Sequence, residues 1–507
     1  MSYTHFRRRF PSIADTARTG DRRPAKKRLS LRELLNMVKY LTIFFICAGW
    51  LAGAAGGMFV PPAASSARFS AGGELAKTVS IAAFGAVGDG VTLNTKAIQS
   101  AIEQLAANGG GTVIIPRGVF LSGAIFLRPG VNLHLEQDAV LKGSTDMTNY
   151  PLRRIRIEGH FEASYSSGLI NAEGCDGLRI TGTGTLDGSG RPIWDEFWKR
   201  RRAADDYKNF QNLSLRRAQL CIINHSTNVV VDGVTFKDSQ YWNLHLYDCR
   251  NVTVRNARFE VPDDYPQAPS TDGIDVDSCQ DVTVNDCYFS VTDDCIALKG
   301  AKGPEALNDR DSPPVEHVRI SGCTFRRGGG VTLGSEATIV RDVVVENCRF
   351  TGQTPVVNFK LRPDTPQRYE DIVYRNITLA GTGAILRVQP WTQYFDLHGQ
   401  PPPNSVVRNV TLSDFTGSYG SFGTIQGNPG QTKLGDITLA DIRVQLEQDT
   451  LKAVQVENFK LKNVLVNGKP FSLPVARPAA RAAAENSVVK PTDSKSVRSE
   501  SNDKAQG

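Results

Sequence analysis

STDGIDVDSCQDVTVNDCYFSVTDDCIALKG, residues 270–300, carries two acidic clusters: Asp272, Asp275 and Asp277 first, then the doublet Asp293–Asp294. Between them DVTVNDCYF alternates apolar and polar residues and is interrupted by a turn-forming Asn-Asp, the pattern of a short half-buried strand. The chain therefore goes once around something and returns with a second set of carboxylates. Asp272 and Asp293 are 21 residues apart, close to one coil of a parallel β-helix, whose coils stack about 4.8 Å apart. Carboxylates brought that close repel, so at least one should hold its proton unusually tightly.

Outward from this stretch the pattern recurs. NVVVDGVTF (228–236), NVTVRNARF (251–259), HVRISGCTF (317–325) and DVVVENCRF (342–350) share its frame, and DIVYRNITL (371–379), NVTLSDFTG (409–417) and DITLADIRV (436–444) continue it. The closing aromatics Phe236, Phe259, Phe289, Phe325 and Phe350 are 23, 30, 36 and 25 residues apart. This is one strand–turn–strand corner per coil with loops of variable length. The expected fold is all-β: a right-handed parallel β-helix from about Val79 to Gly468. Hairpin signals that would favour an antiparallel sandwich are scarce. Cys287, Cys323 and Cys348 share one place in the repeat and should stack inside as free thiols, while Cys279 and Cys295 flank the acidic clusters. There is no CxxC and no Cys/His set at zinc spacing.

Before the repeats, KAIQSAIEQLAA puts Ala97, Ile98, Ala101, Ile102 and Leu105 on one helical face, with Asn94-Thr95 as a cap and Gly109–Gly111 as a stop. One helix over Lys96–Ala107, followed only by strands, would cover the open end of the solenoid. Residues 1–67 form an N-terminal extension in which the uncharged run Tyr40–Val60 precedes the small residues Ser65-Ser66-Ala67, a signal-peptide pattern that implies export, secreted or periplasmic. An uncleaved anchor is the alternative. Residues 68–475 form the β-helix domain and 476–507, poor in large apolar residues, a disordered tail. The formal charge of +7 sits in the ends: residues 1–67 carry 11 Lys/Arg against 3 Asp/Glu and residues 476–507 carry 6 against 4, leaving 42 basic and 45 acidic residues in the body. The body thus gives no support to nucleic-acid binding.

Taken together, FGAVGDG, GGGTVIIPRGVFLSG, LDGSGRPIW (186–194), YWNLH (241–245), STDGIDVDSC and TDDCIALKG resemble glycoside hydrolase family 28, the polygalacturonases and their relatives, over about Val79–Val466. The resemblance implies hydrolysis of a pectic polysaccharide or oligogalacturonide with inversion and no metal or other cofactor; a monomer is expected. By resemblance Asp293 is the general acid, its pKa raised by Asp294 and Asp272, and those two hold and deprotonate the attacking water. Lys360 would meet a uronate carboxylate. A family Asn-Thr-Asp is matched by Ser270-Thr271-Asp272, a Gly-His-Gly by Arg327-Gly328-Gly329 and an Arg-Ile-Lys by Asn358-Phe359-Lys360. The asparagine, histidine and arginine are therefore replaced. Arg362, two residues beyond Lys360, would stand in for the arginine. His245 matches a family position near the cleft.

Closely spaced carboxylates in DGIDVD also suit a calcium ion. Trp391 and Tyr394, in the Pro-rich stretch QPWTQYFDLHGQPPP, would stack on sugar rings or anchor the loop, and Trp194 and Trp198 have the same two readings. Gly328, with Gly329 and Gly330, should leave an open wall that admits a substituted or rhamnose-containing backbone. Two other functions compete with the hydrolase: a calcium-dependent pectic polysaccharide lyase and a non-catalytic β-helix that binds carbohydrate.

Overall fold

The structure, a computed structural model, describes residues 77–473; the signal segment and the tail read from the sequence lie outside them. Within this range the repeat closes into a right-handed parallel β-helix. Each coil pairs with the next in three columns. Asn251–Val254 lies in register with Asp281–Val284 through Val252↔Val282 and Val254↔Val284, and Phe259 with Phe289, all parallel. Antiparallel pairing of these two repeats, the outcome that would have excluded a solenoid, does not occur.

The acidic or amide residue that heads each repeat has a conformational task. Asn251, Asp281, Asp342, Asp371, Asn409 and Asp436 all adopt φ between 51° and 58°. A second left-handed residue (Asn256, Asp286, Asn347 or Asn376) turns the corner a few positions later. Asn and Asp tolerate this region better than other side-chain-bearing residues, so the repeat spells its own corners. Inside, Phe236, Phe259, Phe289, Phe325 and Phe350 stack with centroids 4.5–5.2 Å apart. The eight cysteines of the described residues are free and buried. Cys287, Cys323 and Cys348 form the expected ladder, and Cys249 and Cys279 form another, with the Cys249 amide 3.3 Å from the Cys279 sulfur.

Helix α1 (Thr95–Ala107) buries Ile98, Ala101, Ile102 and Leu105 against the first coil. Asn94 stands at its start but makes no capping bond; its amide ties Val87, Thr92 and Leu121 together instead.

Two elements depart from the sequence reading. Helix α2 (Arg191–Ala203), with proline in its first turn, leaves the solenoid and returns, so the chain is not strands alone after α1. Leu152–Ile157 and His160–Ser166 form an antiparallel hairpin, turning at Glu158-Gly159 with φ of 47° and 75°. Ile155, Ile157 and Tyr165 of the hairpin pack on Ile222, Tyr241 and Trp242, on the outer face of one column. That face carries the acidic residues.

Candidate active site

The column in question stacks Leu244–Tyr247, Ile274–Asp277, Ile296–Lys299, Val331–Leu333, Val357–Leu361 and Ala384–Pro390. Its inward residues are aliphatic or aromatic. Its outward residues are mostly polar and align coil upon coil, His245 with Asp275, Ala297, Thr332, Asn358 and Arg387. Asp272 and Asp294 occupy the turns just before two of these strands and become neighbours because the Gly273 amide donates to the Asp294 carbonyl at 2.9 Å. Asp293 comes with Asp294, and the three carboxylates bring one oxygen each within 4.8 Å of one another.

They lie at the base of a cavity of about 440 Å³ walled by Trp198 of α2, Tyr241, Trp391 and Tyr394. Trp391 and Tyr394 thus belong to the cavity, as does Trp198, whereas Trp194 is a core residue that donates to the Ser239 carbonyl. The indole of Trp391 lies 4.9 Å from the Lys360 ammonium. Glu158, at the hairpin tip, also lines the cavity and accepts from the Tyr241 hydroxyl at 2.6 Å.

Charge is divided unequally among the three acids. Burial pushes the Asp272 carboxyl far above its ordinary range, with Asp293 and Asp275 adding to the effect. Burial, then the charge of Asp294, raises Asp293. Burial acts upward on Asp294 too, but the ammonium groups of Lys360 and Lys299 outweigh it and hold the carboxylate low. Lys360 Nζ donates to one Asp294 oxygen at 2.6 Å and the Thr332 hydroxyl to the other at 2.7 Å. One carboxylate is ionised between two that resist ionisation. Desolvation of Asp293 is a larger cause than the neighbouring charges on which the sequence reading relied.

Several expected residues stand elsewhere. Arg362 does not reach the cavity: it is buried, in ion pairs with Asp364 at 2.7 Å and Glu336 at 3.5 Å, and its Nη2 donates to the Tyr394 carbonyl. The strand ends at Leu361, so the two-residue alternation that placed it beside Lys360 no longer applies. It fastens the aromatic loop. His245 is fully buried between Trp242 and Asp277, with Nε2 3.6 Å from the Asp277 carboxylate, and burial lowers its pKa; it does not line the cavity. Asp277 pairs with Arg156 of the hairpin and Asp275 with Lys299, so DGIDVD does not converge as a calcium loop.

The open wall expected at the glycines is closed. A Cβ on Gly328, where φ is +126°, would lie 2.6 Å from the Asp293 carbonyl oxygen; one on Gly329 would lie 2.1 Å from Asp294 Oδ1. Neither a side chain nor a vacated space fits there, and the predicted preference for a substituted backbone loses its basis. Sequence reasoning missed Lys299, whose Nζ is 3.5 Å from both Asp272 and Asp275 and 3.8 Å from Glu336. It stands in the quoted TDDCIALKG, and an outward lysine one strand after an acidic doublet was the available signal.

The family model described as Glycosyl hydrolases family 28 matches residues 111–466. A probable polygalacturonase of Vitis vinifera is 27% identical over 385 residues, 73% of this chain and 75% of that protein. An exo-poly-alpha-D-galacturonosidase of Dickeya chrysanthemi is 28% identical over 398 residues, 68% and 63% of the two chains. Among solved structures, a hyperthermoactive exopolygalacturonase from Thermotoga maritima superposes with a TM-score of 0.58 at 24% identity, covering 78% of this chain and 93% of that one. A polygalacturonase from Erwinia carotovora gives 0.52 at 17% identity, covering 79% and 99%. These structural likenesses carry the fold.

Proposed function

Since the chain belongs to glycosyl hydrolases family 28 and is a glycoside hydrolase of the pectin-degrading kind, we propose that the Asp272–Asp293–Asp294 cavity cleaves a galacturonate linkage by single displacement, with inversion. The observation that carries this is the split charge of the trio. Asp293, kept protonated by burial and by Asp294, gives its proton to the glycosidic oxygen as the bond to the anomeric carbon breaks. Water held between Asp272 and Asp294 attacks that carbon and gives its proton to ionised Asp294. At their nearest oxygens the acids are closer than the roughly 6.5–9.5 Å between carboxyl groups of most inverting pairs. The water therefore lies against two carboxylates on one flank, not in a gap between acid and base. Lys360 keeps Asp294 ionised and directs the rest of its ammonium toward a uronate carboxylate, with Trp391 and Tyr394 against the sugar.

The N-terminal segment supports export, and N-terminal sequencing of protein recovered from the medium or periplasm tests it.

The central experiment follows reducing ends released from polygalacturonate, beside the ultraviolet absorbance of unsaturated uronates, with and without a chelator. Hydrolysis gives reducing ends, no absorbance and no dependence on the chelator. A lyase gives both signals and stops with the chelator; a binding protein gives neither. Early proton NMR spectra should show the new reducing end in the anomeric form opposite to that of the bond cut. Asp293→Asn should lower activity by about 10²–10⁴-fold while the protein stays folded; normal activity removes Asp293 from the acid's role.

A further inference from the structure

Asn358, a departure from the family pattern, and Gly329 belong to one hydrogen-bonded column. Arg387, one coil beyond Asn358 and in register with it, donates from Nε to Asn358 Oδ1 at 2.8 Å. Asn358 Nδ2 donates to Thr332 Oγ1 at 2.7 Å and to the Gly329 carbonyl at 3.0 Å. Thr332 Oγ1 donates to Asp294 Oδ1 at 2.7 Å, a closer partner than the Gly329 carbonyl at 3.2 Å. Every link runs toward Asp294. Arg387 fixes which end of the Asn358 amide is the acceptor, the amide fills a lone pair of the threonine oxygen, and the threonine proton has one short destination. Gly329 is part of the device, because a Cβ there would lie 2.1 Å from the oxygen that takes this proton.

We propose that Arg387 is a positioning residue that acts through Asn358 and Thr332 to keep Asp294 ionised and to hold its carboxylate in one orientation. The inference rests on the reading of Asp294 as the base. Arg387 makes no ion pair among the described residues, and its charge stays within reach of Asp294 and Asp293. The titratable and charged groups that face Asp294 are Lys360, Lys299 and Arg387 on the positive side, and Asp272, Asp275, Asp293 and the Cys295 thiol, whose ionised forms would oppose it. Lys360 secures one oxygen of the carboxylate; the column secures the other. A cation one coil away thus does by relay what a side chain at position 358 would do by contact. Chains of hydrogen bonds that run in one direction polarise one another, which favours the charge at their end.

The test follows Asp294 by carbon NMR titration of the free protein, its resonance assigned by loss in Asp294→Asn, and in parallel the pH dependence of kcat/KM on polygalacturonate. Donors to a carboxylate lower its pKa, so removing one moves the acidic limb upward. Thr332→Val, which keeps the shape and loses the proton, should shift the Asp294 titration and that limb up by about one pH unit. Arg387→Met should shift them in the same direction by less, and Thr332→Ser should leave them in place. Arg387 lies at the far end of the column, so its variant keeps the fold if Thr332→Val does not. If neither position moves the titration, the relay is wrong while Asp294 keeps its role. If Arg387→Met raises KM and leaves the limb fixed, Arg387 binds substrate instead. If Asp294→Asn remains fully active, the base assignment falls and the relay with it.

Discussion

Asp275 shows how one residue can couple this fold to pH. It is fully buried beneath the acidic trio, its two oxygens have no hydrogen-bond donor among the described residues, and Lys299 is 3.5 Å away. Burial, against the pull of that ammonium, pushes its carboxyl up to about 8. The folded chain then keeps a proton that the unfolded chain releases near pH 4. Because the native state binds the extra proton, this contribution is complete below the unfolded carboxylate range and is lost as pH climbs toward 8. The melting temperature should therefore fall between pH 5 and 8, and Asp275→Asn, neutral at every pH, should flatten that slope by a few degrees. Calorimetry across the range decides it: an unchanged slope in the variant assigns the effect to another group.

At the scale of the element, the hairpin Leu152–Ser166 is held to the solenoid by a buried ion pair as well as by its apolar face. Arg156 Nε donates to Asp277 at 3.0 Å, its Nη2 donates to Ser312 at 3.1 Å, and both side chains of the pair are inaccessible to water. Arg156 is a main reason why Asp277 sits well below the usual carboxylate range despite its burial. Arg156→Met should cost about 3–5 kcal/mol, the typical penalty for leaving a buried charge without its partner. Arg156→Met with Asp277→Asn should recover much of that loss. Urea unfolding of the two variants and of Asp277→Asn closes the cycle. A loss below about 1 kcal/mol for Arg156→Met, the range of exposed pairs, would mean that the apolar contacts alone hold the hairpin.

Across the whole molecule, stability is distributed along ladders, and position in a ladder should set the cost of a break. Phe289 has a stacked ring on each side, at 5.1 and 5.2 Å. Phe236 and Phe350 end the stack against Leu186 and Leu379. Phe289→Ala should cost about 3–5 kcal/mol, and more than Phe236→Ala or Phe350→Ala, since an aromatic pair adds roughly 0.5–1.5 kcal/mol beyond its buried area. Because each coil touches only its neighbours, a weak middle coil should also broaden the unfolding transition. Equal costs and equal sharpness at all three positions would show that the ladder is not the unit of stability.

How much was legible follows from where each feature is encoded. The solenoid was readable because its corners are written in residue types: Asp281 and Asp286 mark left-handed turns, and the valines between them face inward. The acidic trio was readable because two of its members are one coil apart in sequence and one strand spacing apart in space. The docking of the hairpin, the Arg156–Asp277 pair and the Arg387–Asn358–Thr332 column were not. They join residues 26 to 121 positions apart, and loops of unequal length hide the coil register that aligns them. Gly328 and Gly329 misled for the same reason, since a missing side chain in the sequence resembles free space. Whether space exists depends on what packs there, and the Asp293 backbone and the Asp294 carboxylate fill it. The sequence by itself determined the fold and pointed out the clustered acids, because backbone conformation and acid identity are local. Only tertiary structure decided which cation serves which carboxylate, because pairing across coils is set by register.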